Sequence, residues 1–390
     1  MDRLTPRMFG AKGDGISDDT VPLAQWWRRA FDLDVAPVLE RGRYVIQPGR
    51  VVYEAPTGSR VHFHGPDLHV EPGAVLVVDR RLPDIPAHNA PLLTLHGPPE
   101  GGRIIKDGTL NRLTFEDQTT HVAAERHGLS LRGIQEWQFG AIRGEGLRGS
   151  LVHIPRAVHD GFNPDPFHVG LCHFRTLEHN RGSGPAIGND NNVGLNGCGF
   201  GSVRSGGGRL AGGILRTAGA GNNYGIVTTS TTRGWAADFY NSGGSVSRDT
   251  WLGAELDNPE YGIRIQAQLD MKLENARIVC GYQDGIGYWP RIPLQIGGGR
   301  LIRNVLVRLR IRIDPPKPGV KGPTGEPPSA ADFAPALVDL CGDPNLVDVH
   351  VDLQVTDNSG LGIGTTVSNY VRNAKNARVT IDRDGKRVLG

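Results

Sequence analysis

Over much of this chain apolar and polar residues alternate in short runs separated by glycine, asparagine and aspartate turns. Leu306-Val307-Arg308-Leu309-Arg310-Ile311-Arg312-Ile313 and Val347-Asp348-Val349-His350-Val351-Asp352-Leu353-Gln354-Val355 place every second side chain on one face, the period of a half-buried strand. Apolar positions also recur 13 residues apart: Leu129 and Ile142, Ile187 and Phe200, Ile265 and Ile278, Ile296 and Leu309, Leu340 and Leu353. Each pair brackets a turn followed by an alternating strand. Longer steps are uneven: 31 residues from Ile265 to Ile296, 44 to Leu340 and 27 to Val367. A solenoid with variable loops at one corner produces that irregularity, whereas a propeller or a leucine-rich repeat keeps its period. A β-sandwich is the architectural alternative, because short strands and glycine turns suit it too.

The alternation breaks near the start. Leu23, Trp26, Trp27 and Ala30 fall at helical spacing and predict an amphipathic helix over Val21 to Ala30. Before it runs Phe9-Gly10-Ala11-Lys12-Gly13-Asp14-Gly15-Ile16-Ser17-Asp18-Asp19-Thr20. Gly10, Gly13 and Gly15 permit positive φ in a tight turn, Asp14 can accept backbone N–H groups there, and Asp18 or Asp19 can cap the helix. Such a helix suits the open end of a long β-core, which otherwise exposes unpaired apolar rungs.

Over roughly residues 5–31 this stretch resembles the opening motif of the pectate-lyase-like superfamily, which includes polygalacturonase-type enzymes and many phage tailspikes. The resemblance implies an all-β fold, a single-stranded right-handed parallel β-helix with an N-terminal capping α-helix. It implies one domain over 1–390, with the motif and cap in 1–34 and the coils in 35–390. It also implies a polysaccharide or oligosaccharide as partner. Thr5-Pro6-Arg7-Met8-Phe9-Gly10 looks like the joint at which tailspike β-helices begin, and homotrimers are common in that branch. The polygalacturonase branch carries Asn-Thr-Asp, a second Asp-Asp pair, Gly-His-Gly and Arg-Ile-Lys, none of which occurs after residue 31. Catalytic residues therefore do not transfer from that branch.

Composition agrees with one elongated β-domain: 55 Gly, 27 Pro and 38% hydrophobic residues among 390. A formal net charge of +2 leaves no footprint for nucleic acid or a membrane surface. No apolar run is long enough to span a bilayer, and no signal peptide is visible. The expected location is extracellular or virion-associated, after loss of a leader or by virion assembly. Cys172, Cys198, Cys280 and Cys341 lie far apart and read as small buried hydrophobes. The proline-rich stretches 79–101 and 314–335 read as long surface loops. Asn189, Asn191, Asn192, Asn222, Asn223, Asn304, Asn345, Asn373 and Asn376 read as structural corner residues. The glycine runs 206–208 and 297–299 follow no dinucleotide fingerprint, and no P-loop is present.

Rung stacking brings residues one coil apart in sequence to about 5 Å in space, so chemistry is sought in carboxylates one rung apart near aromatics. The best region is 233–289. Asp238, Glu255, Asp257 and Asp284 are the candidate acid/base residues, since two carboxylates across a glycosidic bond supply a general acid and a base or nucleophile. Arg233, Trp235, Tyr240, Glu260, Tyr282 and Trp289 are the candidate substrate-binding residues, the aromatics stacking on sugar rings. The 22-residue step from Asp238 to Glu260 and the 24-residue step to Asp284 suggest a stripe on one face. Glu178 and Asp190 on earlier rungs come next. A hydrolase acting on an extracellular or capsular polysaccharide is the favoured expectation, and it needs no cofactor. A secreted lyase, epimerase or glycosyl-transferring enzyme is a first alternative. A lyase would use Arg233, Arg264 or Lys272, and Ca²⁺ at Asn189-Asp190-Asn191-Asn192. A glycan-binding or structural virion protein without activity is a second. His62 with His64, and Cys172 with His173, lack a second pair at zinc spacing, so no metal site is expected.

Overall fold

The structure, a computed structural model, describes residues 3–32, 37–55, 63–81, 90–97, 105–119, 125–155, 169–189, 195–206, 215–217, 219–220, 222–229, 232–239, 247–248, 251–257, 259–266, 268–280, 292–298, 301–316, 318–321, 325–332, 336–362, 367–368 and 377–389. The chain divides into two compact units, 1–202 and 203–390. Each winds as a right-handed parallel β-helix, the hand that right-twisted strands give to crossover connections.

In the first unit the coil has three strand stacks. One stacks Val51–Glu54, Leu93–His96, Leu129–Arg132, Val152–Ile154 and Ile187–Asn189, with Val51, Leu93, Leu129, Val152 and Ile187 in one register column. A second consists of two-residue strands, with Ile105, Ile134, Val169 and Leu195 in register. The third carries the longer strands Gly42–Val45, Ala74–Val78, Thr109–Asp117, Gln138–Glu145 and His173–Asn180. Every residue of the first column is buried, and each such side chain contributes about 1.5–3 kcal/mol of transfer free energy. Phe139, Phe174 and Phe200 continue the order as a ladder of near-parallel rings, with centroids 4.6 and 4.9 Å apart.

The second unit repeats the scheme. Ala237, Ile263, Leu294, Val338 and Val367 form one register column. Leu252, Leu273, Val307, Val351 and Val379 form another, on the long strands. Lys386–Leu389 pairs antiparallel with Arg378–Arg383 and covers the edge of that last rung.

The 13-residue step is the walk from the first stack to the third inside one coil, as from Leu129 to Ile142 or Ile296 to Leu309. It recurs because a short strand and a one-residue corner lie between. That corner takes the left-handed conformation at Asp107, Glu136, Leu171 and Gly197 in the first unit. Asp270, Asn304 and Asp348 hold it in the second, with φ of 55, 53 and 51°. The Asn304 amide donates to the Asp270 carboxylate one rung below, at 2.7 Å. Asn191, Asn192, Asn373 and Asn376 lie outside the described residues. Rung lengths vary at the corner after the long strand: Ile265 pairs with Ile296 and Leu294 with Val338, matching the 31- and 44-residue steps. Val367 pairs with Val338, so the last step is 29 residues and not 27.

The opening motif is consumed by structure. Gly10, Gly13 and Gly15 all have positive φ, and Asp14–Asp18 forms a strand beside Gly42–Val45. Asp14 accepts the amides of Ser17 (2.7 Å) and Ile16 (2.8 Å), and these bonds hold its carboxyl down at about 2. Asp18 accepts the Thr20 amide at 2.9 Å and caps the helix Thr20–Asp32. Asp19 instead turns its carboxylate back to the amides of Lys12 (2.7 Å) and Gly13 (3.0 Å), tying turn to helix. Leu23, Trp26, Trp27 and Ala30 are buried, as the spacing predicts. The indole N–H groups of Trp26 and Trp27 donate to the carbonyls of Leu4 and Thr94, each at 2.9 Å.

Within the proline-rich stretch 79–101, Leu93–His96 is a strand and not loop, because the apolar run Leu92-Leu93-Thr94-Leu95 fills a rung. Cys172, Cys198 and Cys280 are buried free thiols and Cys341 is half-buried. Burial pushes the Cys341 thiol up to about 11 and those of Cys172 and Cys280 upward as well, so they behave as apolar packing.

Candidate functional site

The predicted region 233–289 falls on both faces of the second unit's coil. Asp238 lies on Thr232–Phe239, and its register partner is Arg264 on Pro259–Ile265. Arg264 Nε donates to Asp238 Oδ1 at 2.8 Å, and Nη2 to Oδ2. The guanidinium also lies 5.4 Å from the centroid of the Trp235 ring. Trp235 stacks one rung from Tyr261, with centroids 5.0 Å apart. Together Trp235, Tyr261 and the Arg264–Asp238 pair form a half-buried aromatic and ionic platform. Tyr261 escaped the sequence reading; its signal was the 26-residue step from Trp235, the same step that joins Asp238 to Arg264.

That step also reorders the carboxylates. Asp238 and Glu260 are not rung neighbours, because a bulge places Glu260 opposite the backbone of Arg233 and Gly234. Glu255 and Asp257 lie on Trp251–Asp257, a long-strand rung of the other stack, in register with Arg277 and Val279. The side chains of Arg233, Glu255, Asp257 and Glu260 are outside what the structure describes, and Tyr240, Tyr282, Asp284 and Trp289 lie outside the described residues.

The long-strand face carries a groove of about 740 Å³ that sequence reasoning missed. Glu274, Arg277, Arg308, Arg310, Asp352 and Asp382 line it. They come from Lys272–Cys280, Ile302–Ile313, Leu346–Asp357 and Arg378–Arg383, whose alternation turns Val307, Leu309, Val351 and Leu353 inward and these charges outward. Arg308 is paired with Glu274 at 3.1 Å. Asp352 accepts the Thr380 hydroxyl, in register on the next rung. Asp382 accepts from Arg387 Nε at 3.0 Å and Nη2 at 3.4 Å, and the guanidinium lowers its pKa. Asp352 and Asp382 face outward one rung and two residues apart, roughly 8 Å between α-carbons at standard sheet spacings. Glu255, Arg277, Arg310, Gln354 and Asp382 occupy successive positions of one register column.

A polar cluster in the first unit is closed to a polymer. His96 Nε2 lies 2.8 Å from Ser130 Oγ, but Ser130 is 1% exposed. Burial, with the Arg132 charge behind it, drives the His96 pKa down to about 3. His64 pairs with Asp107 at 3.2 Å, and the Cys172 thiol donates to the Gly170 carbonyl. Among the described residues no group of three or more His, Cys, Asp or Glu side chains is placed to hold a metal ion. Asp190, Asn191 and Asn192 lie outside them. No helix among the described residues is long and apolar enough to cross a membrane.

No family model matches the sequence, and no curated protein matches it. Among solved structures the chain is similar to an iota-carrageenase complexed to iota-carrageenan fragments, with 8% identity, 91% of this chain covered and a TM-score of 0.41. It is also similar to ORF18 of Geobacillus virus E2, with 12% identity, full coverage of this chain and a TM-score of 0.36. A third is the A-module of an Azotobacter vinelandii mannuronan C-5 epimerase, with 12% identity, 98% of each chain covered and a TM-score of 0.28. The chain spans 57% and 63% of the length of the first two.

Proposed function

We propose that this is a carbohydrate-active β-helix protein that binds and depolymerises an extracellular or capsular polysaccharide, with glycoside hydrolysis as the reaction. The outward carboxylates Asp352 and Asp382, on adjacent rungs of an open groove, carry the reading. In inverting glycosidases two carboxyl groups flank the scissile bond with room for a water between them. Asp382, held ionised by Arg387, would activate that water, and Asp352 would protonate the leaving oxygen. Glu255, Asp257 and Asp284 belong to the same proposal as alternatives, and Trp235 with Tyr261 would stack sugar rings on the neighbouring face. The proposal includes an extracellular or virion-associated location and a homotrimer, the latter checked by sedimentation at micromolar concentration.

Digestion of a glycan panel followed by mass spectrometry tests the reaction. Products heavier by one water per cleavage support hydrolysis. Unsaturated products absorbing in the ultraviolet would identify a lyase. Retained binding with unchanged polymer length would identify a binding protein.

A further inference from the structure

Arg310 is at the centre of the groove, exposed, with Arg277 in register on the rung below and Gln354 on the rung above. Its neighbours along the strand are spoken for: Arg308 by Glu274, and Arg312 by Asp314 at 2.8 Å. Arg387, across the groove, is held by Asp382. Among the described residues the side chains of Arg310 and of Gln354 beside it have no hydrogen-bond or ion-pair partner. Two outward donors therefore lie side by side on adjacent rungs, about 5 Å apart at the backbone, with no protein acceptor among the described residues. A group with two or three anionic oxygens between these side chains would take the guanidinium fork bidentately and the amide N–H as a third donor.

We propose that Arg310, with Gln354, is an anion subsite that selects glycans bearing carboxylate or sulfate groups over neutral ones. This rests on the glycan-binding reading of the same groove. Acidic and neutral forms of one backbone share their hydroxyls and ring faces, so the subsite separates them by charge alone.

The test uses the full chain and affinity electrophoresis at fixed salt. The probes are polygalacturonate and its carboxyl-reduced form, and a sulfated galactan and its desulfated form. The expected result is that a charged polymer is retarded at concentrations about tenfold lower than its neutral counterpart. Arg310→Gln removes that difference, and Arg310→Lys keeps part of it. Which charged probe shows the difference distinguishes carboxylate from sulfate. Arg303→Gln, an exposed arginine on the same strand outside the groove, has no effect. Equal binding of charged and neutral forms overturns the subsite while leaving the glycan reading intact. So does an Arg310→Gln variant with unchanged affinity, or an Arg303→Gln variant with an equal loss. If neither form of either polymer is retarded, the glycan reading fails and the subsite fails with it.

Discussion

The guanidinium of Arg264 grips the carboxylate of Asp238 through both oxygens, one rung apart, while lying over the ring of Trp235. The Asp238 side chain is 10% exposed and that of Arg264 26%. Removing one member of such a pair strands the other in a poorly solvated place. Asp238→Asn is expected to cost about 2 kcal/mol in urea unfolding, reduced from the fully buried case by the exposed edge of Arg264. An Asp238→Asn protein of unchanged stability and lost turnover would point to acid/base work instead.

The groove carboxylates should behave in the opposite way. Asp352→Asn and Asp382→Asn are expected to lower turnover on a cleaved glycan by about 10²–10⁴, with stability within about ±0.5 kcal/mol. Near-normal turnover in both would move the chemistry to Glu255, Asp257 or Asp284, whose amide variants form the second panel.

His179 makes the first unit acid-sensitive. It is fully buried in the register column of Tyr44, Leu76, Phe115 and Gly144, and burial drives its pKa down to about 4 against the neighbouring carbonyls of Leu147 and Gly184. Neither ring nitrogen completes a hydrogen bond. The unfolded chain binds the proton near pH 6.5 and the folded chain only near 4. Stability is therefore full above about pH 6.5 and falls as the pH drops to about 4, by on the order of 3 kcal/mol. Urea midpoints from pH 7 to 4 should show this slope, and His179→Leu should flatten part of it, leaving the share of His96. An unaltered slope in that variant would remove His179 as the cause.

Gly108 is a packing constraint. A β-carbon there would lie 2.3 Å from the Trp137 ring, which is anchored by its N–H to the Ile105 carbonyl at 3.0 Å. Gly108→Ala should cost about 1–3 kcal/mol by forcing the ring aside. Shifted tryptophan fluorescence should accompany the lower melting temperature.

The cap is tested by Trp26→Asp and Trp27→Asp. Both indoles are 1% exposed and bonded to carbonyls of the coil end. Either variant should aggregate, because a buried unpaired charge opens the apolar end of the stack. Two soluble variants with unchanged melting temperatures would show that the helix is dispensable.

The amino-acid sequence by itself determined the elements and the winding. Alternation in Ile302–Ile313 and Leu346–Asp357, the helical spacing of Leu23, Trp26, Trp27 and Ala30, and the 13-residue step are local, and local periodicity is visible in a string. Loop lengths are not periodic, so the partner of each rung was hidden. The 22-residue step suggested Glu260 above Asp238, and the bulge after Thr232 put Arg264 there. The groove was hidden for the same reason. Its charges are spread from Glu274 to Arg387, and the 44-residue excursion between Leu306 and His350 separates strands that hydrogen-bond side by side. Only the tertiary register, set by burying Val307 on Val351 and Leu309 on Leu353, turns Arg310, Gln354 and Asp382 into neighbours on one outward column.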